Sequence, residues 1–420
     1  MIVFLTLYLG LVSGKQRLEL QAAAAVKSIR IVIDGAPLVT MSAPPWLAEI
    51  DFGPELQPHE IIAVALNENG DEIARARQYV NVPRPPAEID VVLDRDAEGK
   101  PSRAKLVARH LAQQKPRSAA VKLDDAALSL DVDFNAKLPP VDMKRPHLLA
   151  AEMRFADGTV ARREVVFGGQ FGDSAEAQLT PVAVTRTGTA DTLPADGCFA
   201  ANGAPLHVRS IEESMAQVVV VRDPDTTELR QKLVYAATNM RTVATLDRGT
   251  FAHLMSPVPT QLSAPNEVTE LFPSTSGFDV SKEGMLFLLT ARAMHPPQAP
   301  RQWADAVAVA GVRATANGQR RAVVLILGSA ADNSRHQPAT VRRFLATLGV
   351  PLFVWSPADP RPDLAWGSVD DVSTIGKLTE AVARLRKTLA EQRVAWIEAD
   401  PVTAFRAVVK DDCGYARLAR

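Results

Sequence analysis

Val218-Val219-Val220-Val221, closed by Arg222-Asp223-Pro224-Asp225-Thr226-Thr227, and Val323-Val324-Leu325-Ile326-Leu327, closed by Gly328-Ser329-Ala330-Ala331-Asp332-Asn333-Ser334, decide how this chain folds. A short apolar run bounded by turn formers reads as a strand buried on both faces, as strands of a parallel sheet are. Sequence of helical composition follows each turn. Open α/β sheets bind ligands in the crevice beyond the carboxyl ends of their strands. The two turns therefore mark the candidate site.

Working outward from these runs, strand and helix alternate. Residues 228–239 space Leu229, Leu233 and Ala236/Ala237 for one buried helical face, and 280–294 do the same with Met285, Leu288, Leu289 and Arg292. The stretch between them, 242–271, reads as an ill-defined β region. Beyond Leu327 come a helix over 341–348, a strand over 352–355 and a helix over 375–392 with Leu378, Val382, Leu385 and Leu389 on one stripe. Such alternation implies right-handed crossovers and a doubly wound, mostly parallel sheet covered on both faces.

The first half repeats itself. Pro58-His59 opens an apolar run to Leu66, followed by a glycine turn at Gly70 and an alternating strand to Val80; Pro146-His147, Gly158 and Val166 give the same order. An apolar strand, an Asx-rich turn and an alternating strand form a hairpin signature. Upstream, 29–35 corresponds to 120–125 and 49–52 to 130–134, so two copies of a small Ig-like β-sandwich are expected. Pro83-Arg84-Pro85-Pro86 joins them. His59 and His147 recur at strand entry, where each is expected to bond to a neighbouring loop; one histidine per sandwich is no ligand set.

With 47 basic and 48 acidic residues and a formal charge of −1, the chain lacks the electrostatic footprint of a nucleic-acid or anionic-membrane binder. The basic pairs Arg162-Arg163, Arg320-Arg321 and Arg342-Arg343 read as solvated faces. Residues 1–14 are apolar but shorter than the roughly 20 residues a membrane span needs. They are either an export signal ending at Val12-Ser13-Gly14, without the usual basic start, or a buried N-terminal strand. The only two cysteines, Cys198 and Cys413, flank the α/β region and are either a disulfide or two unpaired buried thiols; their spacing fits no zinc pattern.

Ile33-Asp34-Gly35, Ala43-Pro44-Pro45-Trp46, Asp51-Phe52-Gly53 and Ala63-Val64-Ala65-Leu66 resemble the leader repeat of the bacterial VWFA-related proteins, in which β repeats precede a von Willebrand factor type A domain. Arg321 to Ser334, with Leu348 to Val354 after it, resembles that family's fourth strand, metal loop and fifth strand, and 394–420 resembles its closing β extension. The resemblance implies a magnesium site built from Asp-x-Ser-x-Ser, a threonine from a second loop and an aspartate from a third. Here the first loop reads Asp223-Pro224-Asp225-Thr226-Thr227, the second places Phe278 or Asp279 at the threonine, and Ser329 stands at the third-loop aspartate. Magnesium prefers six oxygens at about 2.1 Å, and these exchanges imply that it is not bound in the family's manner. Asp223 and Asp225 would instead cap the helix that follows; a rearranged cation site on Asp223, Asp225 and Thr227 is the alternative.

The expected organisation is a signal over 1–14, sandwiches over 15–83 and 87–170, a β connector over 171–214, a Rossmann-like vWA-type domain over 215–396 and a β extension over 397–420. The expected function is non-enzymatic: a secreted or periplasmic adhesion-type protein that binds another protein, with no cofactor and no membrane span in the mature chain. A hydrolase using Ser329, near Asp332, Ser334 and His336, is the alternative of a different class, but the Gly-x-Ser-x-Gly elbow is missing. Phosphate-loop, dinucleotide and His-Glu-x-x-His motifs are missing too.

Overall fold

The computed structural model describes residues 2–418 apart from 7, 9, 25, 84–86, 97–99, 111–114, 125, 156–159, 170, 176–178, 188–196, 223–243, 261–270, 276, 283, 287–299, 329–330, 358–364 and 412. The described residues are mostly strand. The chain divides into two compact units: Met1–Pro83 joins Thr180–Gln261 and Glu270–Arg420 in the first, and Arg84–Leu179 forms the body of the second. The first sandwich is therefore no free-standing module but part of the unit that holds the α/β sheet.

In that sandwich, strands Ala36–Met41, Ser28–Ile33, His59–Leu66 and Glu72–Val80 form one sheet and Ile2–Phe4, Lys15–Ala22 and Leu47–Asp51 the other. Ile29, Ile31, Ile61, Ala63 and Ala65 point inward and meet Leu18, Leu20 and Ile50. At the hairpin tip Asn67 Oδ1 accepts the Asn69 and Asp71 amides, each at 2.9 Å, which is the Asx turn that the sequence there favours. Within residues 1–14, Ile2–Phe4 forms a strand of the second sheet. Ile2 pairs with Ala22, and Ile2, Tyr8 and Val12 sit in the sandwich core. Their amides are served from the last strand and just beyond it: Tyr8 N donates to Gln78 Oε1 and Val12 N to Asn81 Oδ1, both at 2.8 Å.

The second unit repeats the plan. Ala126–Leu128, Pro116–Leu123, His147–Phe155, Val160–Gly168 and Phe171–Ala175 face Asn135–Lys137, Pro101–His110 and Ala87–Arg95 across a core that includes Leu106, Val121, Leu149, Met153 and Phe167. Phe171–Ala175 belongs to this sandwich and not to the connector, because it pairs back on Val160–Gly168.

The central sheet has six strands: β1 (Ala216–Arg222), β2 (Thr250–Met255), β3 (Phe278–Asp279), β4 (Arg320–Ile326), β5 (Leu352–Ser356) and β6 (Asp370–Asp371). Their spatial order is 3-2-1-4-5-6, all parallel except β3. Helices α1 (Trp303–Thr315) and α2 (Pro338–Leu348) cover one face, and α3 (Ile375–Glu391) the other. Alternation explains the unbroken apolar runs. Val219, Val221, Val323 and Leu325 pack against Ala306, Val307 and Phe344, while Val218, Val220, Val324 and Ile326 pack against Leu378, Val382 and Leu385. Each buried valine contributes roughly 1.5–3 kcal/mol, so Val220→Asp would break the layer. Helix α2 stops at Gly349, left-handed at φ 66°, whose amide returns to Leu345 and Ala346. Gly311 lets α1 approach α2, since a Cβ there would lie 3.0 Å from Leu345 Cδ1.

A further sheet orders Val208–Glu212, Gln392–Glu398, Leu179–Arg186 and Tyr415–Arg417. Connector and C-terminal extension thus form one body, closed by helix α4 (Pro401–Phe405) and by the Cys198–Cys413 bond, with Cα atoms 5.7 Å apart. Of the cysteine alternatives, the disulfide is the one formed. The pair Arg320-Arg321 is no solvated face: Arg321 is fully buried, and Arg320 bonds the Ser214 and Leu389 carbonyls. No helix among the described residues is long and apolar enough to cross a membrane.

Candidate functional site

In the order 3-2-1-4-5-6 the direction in which successive strands are added reverses between the parallel neighbours β1 and β4, which pair from Ala216↔Arg320 to Arg222↔Ile326. That reversal opens a crevice at the carboxyl ends. Asp223, Asp225, Thr227 and Ser329 follow directly in sequence but lie outside the described residues, as do the expected helix over 228–239 and most of that over 280–294.

The second loop needs a correction. Because β3 runs antiparallel to β2, residues later in the chain lie further from the crevice. Asp279 stands opposite Phe251, near the amino end, whereas Ser274 bridges Met255 at the carboxyl end. Neither Phe278 nor Asp279 can therefore take the threonine's place. Asp279 is occupied locally, accepting from Ser281 N and Oγ and pairing with Lys282. Thr275, beside Ser274, accepts the Leu254 amide at 2.9 Å through Oγ1.

The third loop is fastened to the start of α1. The amides there have no intrahelical partner, and Gln302 at the N-cap makes no side-chain bond to them. Asp332 fills the gap: Oδ1 accepts Trp303 N at 2.9 Å and Oδ2 accepts Ala304 N at 3.3 Å, while Ser334 Oγ donates to Asp332 Oδ1 and accepts Asp305 N. Among the described residues no group of three or more His, Cys, Asp or Glu side chains is placed to hold a metal. The carboxylates of the third loop and of α1 that are described do not fit a magnesium shell, because amides and a histidine already occupy them.

Beyond Ser334 the loop makes a buried relay that sequence reasoning missed. His336 Nδ1 donates to Asp305 Oδ1 at 2.7 Å, and its Nε2 meets Ser13 Oγ at 3.1 Å. All three residues are under a tenth exposed. Asp305 also accepts the Arg335 amide at 2.8 Å and the His336 amide at 3.2 Å. Burial raises the Asp305 carboxyl, but the His336 bond and these amides outweigh it and hold the group below the usual carboxylate range. The order Ser–His–Asp matches a nucleophile, base and orienting acid. Its partners are 323 and 31 residues apart in sequence, so no local motif announces it.

His59 and His147 take the loop-bonding role expected of them. His59 Nδ1 donates to Asp34 Oδ2 at 2.8 Å and His147 Nδ1 to Asp124 Oδ2 at 2.6 Å, each aspartate also accepting the next strand amide, from Glu60 or Leu148. Asp34 and Asp124 share a left-handed backbone, φ 51° and 49°. In the first sandwich Asp34 additionally receives Arg406 Nη2 at 2.8 Å, from just beyond α4.

No family model and no curated protein matches the chain. Among solved structures it is similar to the fibronectin(III)-like modules of Clostridium thermocellum CbhA, at 11% identity over 40% of this chain and 93% of that one, with a TM-score of 0.17. It is similar to the SpRpn10 VWA domain at 13% identity, over 40% and 95% of the two chains, with a TM-score of 0.25. A bacterial ice-binding adhesin of 1.5 MDa matches at 12% identity, over 46% and 76%, with a TM-score of 0.15. Likenesses this faint leave the function to be read from the chain's own residues.

Proposed function

We propose that the chain is a non-enzymatic, extracytoplasmic, adhesion-type protein that binds another protein, and that its six-stranded sheet is a Rossmann-like vWA-type domain working without an intact metal site. The observation that carries this reading is the switch point: β1 and β4 lie side by side and parallel, and the carboxyl ends of strands paired in this order are where doubly wound sheets take ligands. Asp332, engaged by the start of α1, supports recognition without a cation. The disulfide supports an oxidising compartment. The Ser13–His336–Asp305 relay is read as a clamp, since the serine is buried and the amide that follows it, Gly14 N, is already bonded to Gly53 O instead of facing an oxyanion.

Calorimetric titration of the purified chain with Mg²⁺ and Mn²⁺ tests the metal-free reading, with no saturable heat expected. A saturable heat abolished by Asp223→Ala would replace it with the cation-dependent module on Asp223, Asp225 and Thr227. Capture of envelope proteins on the immobilised chain is expected to persist in EDTA. Esterase or amidase activity lost in Ser329→Ala or Ser13→Ala would overturn the non-enzymatic reading.

A further inference from the structure

Arg321, the second residue of β4, lies on the face covered by α1 and α2, and its side chain is fully buried. Its backbone is bracketed by one side chain: Arg321 N donates to Gln392 Oε1 at 2.8 Å, and Gln392 Nε2 donates to Arg321 O at 3.0 Å. The guanidinium fares differently. Nη2 donates to Pro181 O at 3.3 Å, while Nε and Nη1 have no hydrogen-bond partner among the described residues. Among the described residues no carboxylate pairs with it. A second guanidinium, that of Arg417, is close enough to act on it electrostatically, and its own donors go to the Thr347, Ala404 and Phe405 carbonyls.

A guanidinium cannot escape burial by losing its proton at neutral pH. Left uncompensated, a buried charge is strongly destabilising, and a like charge nearby adds to the cost. Water could accept the open N–H groups but would leave the Arg321 charge unbalanced. An anion removes both deficits. Pro181 lies on the connector strand that pairs with Tyr415–Arg417, and it and the amino end of β4 belong to one compact unit.

We propose that a small inorganic anion of chloride size binds at the buried Arg321 guanidinium and ties the amino end of the sheet to the connector. This site lies at the opposite end of β4 from the binding crevice and is independent of it. Burial and Arg417 both push the Arg321 guanidinium down, to about 9, the direction an uncompensated cation takes.

The test uses the full chain with sodium chloride or bromide exchanged against sodium gluconate at constant ionic strength. The expected result is a saturable rise in Tm of a few degrees with either halide, lost in Arg321→Met, whose side chain fills similar space without charge. Crystals grown in bromide should give an anomalous peak within hydrogen-bonding reach of Arg321 Nε or Nη1. The crystal result stands on the wild-type chain, so it decides the matter even if Arg321→Met fails to fold. Ordered water in place of the peak, or a peak without any halide dependence of Tm, overturns the proposal.

Discussion

Removing Asp305 tests whether the Ser13–His336–Asp305 relay is a clamp or the remnant of a catalytic device. Asp305→Ala leaves three donors without their acceptor: the buried His336 Nδ1 and His336 amide, and the part-buried Arg335 amide. An unsatisfied buried donor costs roughly 1–3 kcal/mol. Water entering the vacated space offsets part of this, giving a net loss on the order of 3–5 kcal/mol, as for other broken buried pairs. Ser13→Ala removes one hydrogen bond to the ring and should cost about 1 kcal/mol. Both act through His336, so the double variant should fall short of additivity by about 0.5 kcal/mol or more. Urea unfolding followed by tryptophan fluorescence is the assay of choice. All five tryptophans (Trp46, Trp303, Trp355, Trp366 and Trp396) lie in the first unit, and Trp303, at the start of α1, adjoins the relay. The signal therefore reports the unit under test. Changes below about 0.5 kcal/mol in both single variants, or additivity of the two, would refute the clamp. So would covalent labelling of the wild-type chain by a fluorophosphonate that Ser13→Ala prevents.

Three further outcomes are expected. Reduction, or Cys198→Ser with Cys413→Ser, should lower the urea midpoint of the first unit: closing a loop over a separation of 215 residues is worth at most about 5 kcal/mol, and an unchanged midpoint would count against the bond. Burial raises Asp34, but the bonds from His59 and Arg406 and the Glu60 amide bring it from 3.8 to about 2, a difference worth about 2 kcal/mol. As its folded value is depressed, that stability is present above about pH 4 and lost as pH falls towards 2; Asp34→Asn should flatten the acid limb of a stability–pH curve there. The hydrogen bond to Asp124 outweighs burial and raises His147, so its stabilisation is full below the free-histidine value and fades as pH rises through the elevated one. NMR titration of the ring should place His147 above the free value in the wild-type chain and lower it in Asp124→Asn.

Local periodicity carried what was legible in the sequence. The valine run at Val218 and the run at Val323 have no polar position to turn outward, which identifies two-sided burial, and both are central strands. Helices α2 and α3 were readable from their single apolar stripes. Helix α1 was not, because alanine and valine surround it on nearly every side and leave no stripe to count. Strand β6 has only two residues, too few for any period. The proline before each histidine and its repeat marked strand entry, but Asp34 and Asp124 could be paired with His59 and His147 only by strand register, since they stand 25 and 23 positions apart. The apolar character that makes residues 1–14 resemble an export signal also lets Ile2, Tyr8 and Val12 enter the sandwich core. Arg321 read as surface because a charge is buried so seldom.

The third loop shows how a cation site and a helix start compete for the same groups. Helix α1 begins at Trp303 with no capping side chain of its own, so its first amides must find acceptors elsewhere. Asp332 and Ser334 supply them from the loop after β4, and Asp305 within the helix returns the favour by fixing Arg335 and His336. A cation that recruited Asp332 would uncap α1 at a cost of about 1 kcal/mol per lost cap, and one that recruited Asp305 would leave His336 buried without its acceptor. Neither carboxylate can turn to a metal without loosening the loop on which the crevice stands. A chain with serine at 329 has no acid there to take the role, and the acids that follow it along the loop and in α1 are held by the fold itself.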